Sequence, residues 1–219
     1  TRKPVMFYGF YLIALGVLQG LGLAGNLVSF YLFYEWMTLM TVPFVFYNRT
    51  KESIRASRKY LFYSISGAAL SLAGIFLLAA NTHGLAFSGN ALAESADRTE
   101  VLVAAVLLLF GFGTKAGMFP MHFWLPKAHP VAPAPASALL SGILTKCGIF
   151  GILILTAQVF VHDLTWGTVI LTLGVITMVI GAVLAVFSVN LKRTLACSSV
   201  SQIGFILVGV GMQCFLGEE

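Results

Sequence analysis

The chain has 219 residues, of which 58% are hydrophobic and 10% charged, and its mean hydropathy is +0.93. Soluble domains carry about 25% charged and about 45–50% apolar residues, so the composition excludes a water-soluble globule and a disordered chain. A net charge of +5 spread over so few charged groups gives no basis for nucleic-acid binding, and no nucleic-acid partner is expected.

A helix needs about 20 mostly apolar residues to cross the hydrocarbon of a bilayer. Such runs occur at Val5 to Ala24, Leu27 to Tyr47, Tyr60 to Ala80, Glu100 to Phe119, Ser137 to Phe160, Thr165 to Val189 and Val200 to Leu216. None shows the alternation of a transmembrane barrel strand. The fold class predicted is all-α, a polytopic bundle of about seven transmembrane helices.

Cations collect on the cytoplasmic side of such proteins. With the start of the chain inside, the inner segments (1–4, 48–59, 120–136 and 190–199) hold Arg2, Lys3, Arg49, Lys51, Arg55, Arg58, Lys59, Lys127, Lys192 and Arg193. The outer segments hold only Arg98, while Glu94, Asp97, Glu100, Asp163, Glu218 and Glu219 fall outside and Glu52 inside. This predicts a multi-pass protein of the inner or plasma membrane with its N-terminus cytoplasmic. Thr1-Arg2-Lys3-Pro4 reads as a loop entering a helix, so a piece of a longer protein is expected.

Three charges remain within the spans: Glu35, Lys115 and Lys146. Each costs roughly 2.5–3.5 kcal/mol near a helix centre, so they are expected to face the bundle interior and to pair. Glu35 lies about 12 Å and Lys146 about 14 Å into its helix at 1.5 Å per residue. For both, the alternatives are a structural ion pair and a proton or cation pathway.

Lys115 stands in Gly111-Phe112-Gly113-Thr114-Lys115-Ala116-Gly117-Met118-Phe119-Pro120, where glycines and a proline weaken the helix. A broken helix lining a water-filled cavity is one expectation. A Pro kink with a lysine snorkelling to a nearby inner end is the other. Beyond it, His122 and His129 lie in a segment holding five of the seven prolines, 120–135. They could relay protons, since imidazole titrates near neutrality, or simply hydrogen-bond at the interface, where Trp124 and Tyr60-Leu61-Phe62-Tyr63 suggest an aromatic belt.

Gly67, Gly74, Ser137, Ser141, Gly142 and Gly148 are read as sites of close helix approach. No nucleotide, metalloprotease or hydrolase motif occurs. Cys147, Cys197 and Cys214 fall in no metal-ligand spacing. No cofactor, no metal and no self-contained catalytic centre are expected.

These residues resemble the proton-translocating, antiporter-like membrane subunits shared by respiratory complex I, energy-converting membrane hydrogenases and Mrp-type cation/proton antiporters. The resemblance rests on Phe30–Leu39 around Glu35, on Lys115–Pro126 running on through Ala128-His129 and Ala132–Ala138, on Leu140–Lys146, and on Leu191–Gly204. It implies helices four to ten of about fourteen: a first five-helix repeat over residues 1–160 and the start of an inverted second repeat over 161–219. A second broken helix would lie beyond Glu219. The resemblance also implies that Glu35 pairs with Lys115, that Lys146 is the central lysine, and that His122 and His129 line a hydrated axis. Lys127 departs from it, since many relatives carry Asp or a small polar residue there.

The expected function is therefore that of a proton-translocating subunit, with cation/proton antiport as a variant, driven by coupled switching of the two lysines. Expected partners are other membrane subunits, the bilayer, and H⁺ with Na⁺ as an alternative ion. The driving complex would be a redox-driven translocase of NADH:quinone oxidoreductase or hydrogenase type, or an Mrp antiporter. Two rival readings remain: a stand-alone transporter of an anionic solute bound by the lysines, and a non-conducting scaffold.

Overall fold

The computed structural model describes residues 4–82, 84–87 and 97–216. Arg2, Lys3, Glu94, Glu218 and Glu219, used in the topology argument, lie outside the described residues. Among the described residues, seven spans are long and apolar enough to cross a membrane. The helices are α1 (Pro4–Gly22), α2 (Leu27–Phe46), α3 (Lys51–Ala80), α4 (Arg98–Ala116), α5 (Leu125–Val131), α6 (Ala134–Leu139), α7 (Thr145–Gln158), α8 (Leu164–Val186) and α9 (Leu191–Gln213). A 3₁₀ turn, Met121–Trp124, joins α4 to α5, and a π-helical segment, Leu140–Leu144, joins α6 to α7.

Short polar residues start most of these helices by accepting from the orphan N–H groups of the first turn. Asn26 accepts from Ser29 at 2.7 Å, Thr50 from Ser53 at 3.1 Å, Asp97 from Thr99 at 2.8 Å, and Asn190 from Lys192 at 3.0 Å. These caps place two starts earlier than hydropathy does. Helix α3 begins at Lys51 rather than Tyr60, and α9 at Leu191 rather than Val200. Segments 48–59 and 190–199, expected as loops, are thus largely helical. Their cations sit on turns that hydropathy discounts although the capped backbone forms them.

Segment 120–136 also departs from the expected loop. Residues 120–131 are the far half of a broken span that runs from Arg98 to Val131, residues 134–136 open the next span, and Leu125, Ala128 and His129 of α5 are buried. Trp124 is buried rather than interfacial, and so is Tyr60, whose hydroxyl bonds Thr41 Oγ1 at 2.7 Å. Their rings meet 5.0 Å apart.

Glycines set the helix spacings around this broken span. A Cβ on Gly74 would fall 2.7 Å from Leu108 Cγ, and one on Gly67 would fall 2.8 Å from Thr114 Cβ, so α3 lies close along α4. Gly174 and Gly211 let α8 and α9 close into a hairpin in the same way. Close backbone approach through small residues is the usual route to helix association in lipid. Gly142 meets nothing within 4 Å and does not take part.

Candidate functional site

The site is built where α4 stops. Gly117 has φ 81°, a left-handed conformation that glycine adopts without the penalty of a Cβ. The Gly117 and Met118 N–H groups both donate to the Gly113 carbonyl, each at 2.9 Å, closing the helix in a Schellman-type ending. Pro120 then provides no N–H with which to resume it. The polar groups released at the break find protein partners: Trp124 Nε1 donates to the Thr114 carbonyl at 2.8 Å, and the Phe119 N–H donates to Thr177 Oγ1 at 3.1 Å. Irregular backbone at membrane depth is tolerated when it is enclosed by protein. The break is sealed by side chains at these groups, where the sequence suggested exposure to a water-filled cavity.

The last turn of α4 carries Lys115. It sits midway along the Arg98–Val131 span and is 1% exposed, which overturns the snorkelling alternative. Its Nζ lies 3.4 Å from Glu35 Oε1 of α2, donates to the Tyr34 carbonyl, and stands 3.3 Å from the Tyr34 ring centroid. This is the only ion pair among the described residues. Its carboxylate end is 25% exposed, so the pair is buried on the lysine side and reachable on the other.

Lys146 lies on α7, which crosses α4 at this level. A Cβ on Gly148 would come within 2.5 Å of the Phe112 carbonyl oxygen and the Ala116 nitrogen. The helices therefore touch at the residues beside the two lysines. Lys146 Nζ donates to the Ser141 carbonyl at 2.9 Å, as does Thr145 Oγ1, also at 2.9 Å. The π segment widens the helix just here, and such bulges recur at functional sites. Ser141 Oγ in turn bonds Ser199 Oγ of α9, which donates to the Leu195 carbonyl. Lys146 is half-buried and borders a groove of about 680 Å³ with Leu18, Gln19, Gly142, Phe150 and Ile206.

The two histidines differ. His129 Nδ1 bonds Ser137 Oγ at 2.6 Å, whereas its Nε2 is buried with no protein partner. His122 is 2% exposed, packs against the rings of Phe119 and Phe123, and has neither ring nitrogen bonded to protein. Glu35 and Lys115 thus form a direct pair, with Lys146 on the adjoining helix and the histidines beyond the break without direct bonds to either lysine. Sequence reasoning missed Tyr34 as the seat of the Lys115 ammonium, although it adjoins Glu35. It also missed Ser137 and Ser199 as hydrogen-bond partners, and no motif signals those roles.

A buried lysine–glutamate pair at a helix break, inside a polytopic bundle, defines the class as that of membrane proteins with an ionisable centre at mid-span. More narrowly, the chain belongs to the NADH:quinone oxidoreductase/Mrp antiporter transmembrane family, whose pattern matches residues 24–219. It is 36% identical over 216 residues to hydrogenase-4 component B of Escherichia coli (strain K12), covering 96% of this chain and 32% of that protein. It is 32% identical over 219 residues to NAD(P)H-quinone oxidoreductase chain 4 1 of a Picosynechococcus species, covering 99% of this chain and 41% of that protein. Its fold superposes on a chain of the Mrp complex from Dietzia sp. DQ12-45-1b with a TM-score of 0.84 at 30% identity, over 93% of this chain and 39% of that one. The chain therefore spans roughly a third to two fifths of the length of these relatives.

Proposed function

We propose that this chain is the part of an antiporter-like membrane subunit that carries protons between Glu35, Lys115 and Lys146. His122 and His129 serve as relays in a multisubunit complex of complex I, hydrogenase or Mrp type. The observation that carries the reading is the Lys115–Glu35 pair at mid-span, 3.4 Å apart. In a medium of low dielectric the carboxylate favours the ammonium form of the lysine, and drawing it away favours release of the proton. Lys146 sits on the helix that touches α4 beside Lys115, which supports it as the next proton carrier along the path. The buried nitrogens of His122 and His129 that lack protein partners would bond mobile water, as unsatisfied buried polar groups generally require. Water bridges let such groups exchange protons without direct contact.

Residues 1–160 would then be the first five-helix repeat and 161–219 the opening of its inverted counterpart, with the N-terminus of the chain cytoplasmic. The relatives whose names include hydrogenase and quinone oxidoreductase point to a redox partner as the energy source. The word antiporter in the family's description points instead to the gradient of a second ion, Na⁺ being the alternative offered by the resemblance. The test is coupled proton transport in vesicles containing the assembled complex. Lys146→Ala and Glu35→Gln should each abolish or strongly reduce transport without loss of assembly. Transport that survives both substitutions contradicts the reading.

A further inference from the structure

Lys59 of α3, Lys127 of α5 and Arg193 of α9 are exposed side chains on three separate elements that converge at the cation-rich end of the bundle. The convergence is built in by packing. The residue after Lys59, Tyr60, packs its ring at a tilt 5.0 Å from that of Trp124, which stands three residues before Lys127. Lys192, beside Arg193, donates from Nζ to the Ala132 carbonyl at 2.9 Å, pinning the start of α9 to the end of α5. Lys127 is close enough to both Lys59 and Arg193 to interact with each electrostatically.

Like charges held together at this range are unfavourable unless an anion joins them. No acid of this chain does so among the described residues, where the one ion pair is Lys115–Glu35. Asp97, Glu100 and Asp163 start α4 and α8 at the opposite end, and Glu52 lies seven residues, about 10 Å along α3, from Lys59. Directly deeper lie apolar side chains facing outward: Phe62, one turn beyond Lys59, is 68% exposed, and Phe123, one turn before Lys127, is 50% exposed. Cations above and exposed aromatic surface below match the shape of a lipid, with a charged head at the interface and chains beneath it. Basic pockets between helices at this depth are suited to anionic headgroups.

We propose that Lys59, Lys127 and Arg193 form a binding site for the phosphate headgroup of an anionic phospholipid, whose acyl chains lie against Phe62 and Phe123. The three cations of the site take no part in the translocation reading. Each cation near a surface adds about a fivefold preference for anionic lipid, so three together give on the order of 100-fold.

The test uses the full-length subunit, purified in detergent, depleted of lipid and offered equimolar phosphatidylglycerol and phosphatidylcholine, with retained lipid read by native mass spectrometry. The wild type should retain phosphatidylglycerol preferentially, and the preference should vanish in the Lys59→Gln/Lys127→Gln/Arg193→Gln variant. Lys51→Gln should leave it unchanged, and Lys59→Arg/Lys127→Arg should keep it, which separates loss of charge from misfolding. Three outcomes overturn the proposal: equal retention of both lipids, unchanged retention in the triple variant, or displacement of the lipid by millimolar inorganic phosphate or by a co-purifying acidic polypeptide.

Discussion

Lys115 keeps an ammonium group in the middle of a membrane span because the Glu35 carboxylate, the Tyr34 carbonyl and the Tyr34 ring offset its desolvation. Removing the acid alone leaves an unpaired charge in a dry setting. Glu35→Gln should therefore lower stability by about 2–4 kcal/mol, less than a fully buried pair because one partner is partly exposed. The double variant Glu35→Gln/Lys115→Met removes the charge along with its need for a partner and should recover most of that loss; thermal unfolding in detergent measures both. His122 gives a second test at this scale. Its ring packs against Phe119 and Phe123 and bonds to no protein group, so a residue placed there only for packing would be replaceable by phenylalanine. His122→Phe should change stability by less than about 1 kcal/mol while reducing proton transport several-fold. Full transport in this variant removes His122 from the axis.

The broken span works because two glycines do different jobs. Gly117 ends α4 through a backbone conformation, φ 81°, and Gly117→Ala should cost about 1–2 kcal/mol from that strain alone. Gly148 holds α7 against α4 through lack of volume, since a Cβ would meet the Phe112 carbonyl and Ala116 nitrogen at 2.5 Å. Gly148→Ala should separate the two lysine helices, lower the melting temperature and depress transport. Gly142→Ala, facing open space on the neighbouring turns, should do neither. A Gly148→Ala variant with normal stability and transport would show that the crossing is looser than described. Trp124 belongs to this element as well: its N–H occupies the Thr114 carbonyl at the end of α4, so Trp124→Phe should destabilise by about 1–3 kcal/mol through an unsatisfied buried acceptor.

Across the whole molecule, the seven spans, the all-α class and the three charges within the spans were legible in the sequence because lipid imposes a length and a charge rule on every crossing segment. Capped, cation-bearing turns were not, since hydropathy reads the residues of Lys51–Lys59 and Leu191–Ser199 as loop while Thr50 and Asn190 start helices there. The glycines and Pro120 announced a break, but not that Trp124 and Thr177 would seal it. That sealing depends on side chains brought back from 3₁₀ and α8 segments. The Ser141–Ser199 bond, 58 residues apart in the chain, leaves no local trace at all. The account as a whole rests on the buried pair being a working part of an ion path and not only a brace between α2 and α4. The most direct measurement is the number of protons moved per turnover by the assembled complex in proteoliposomes when the subunit carries Glu35→Gln/Lys115→Met. Proton carriage through the pair predicts an intact, assembled complex from which the protons carried by this subunit are missing; an undiminished proton count contradicts it.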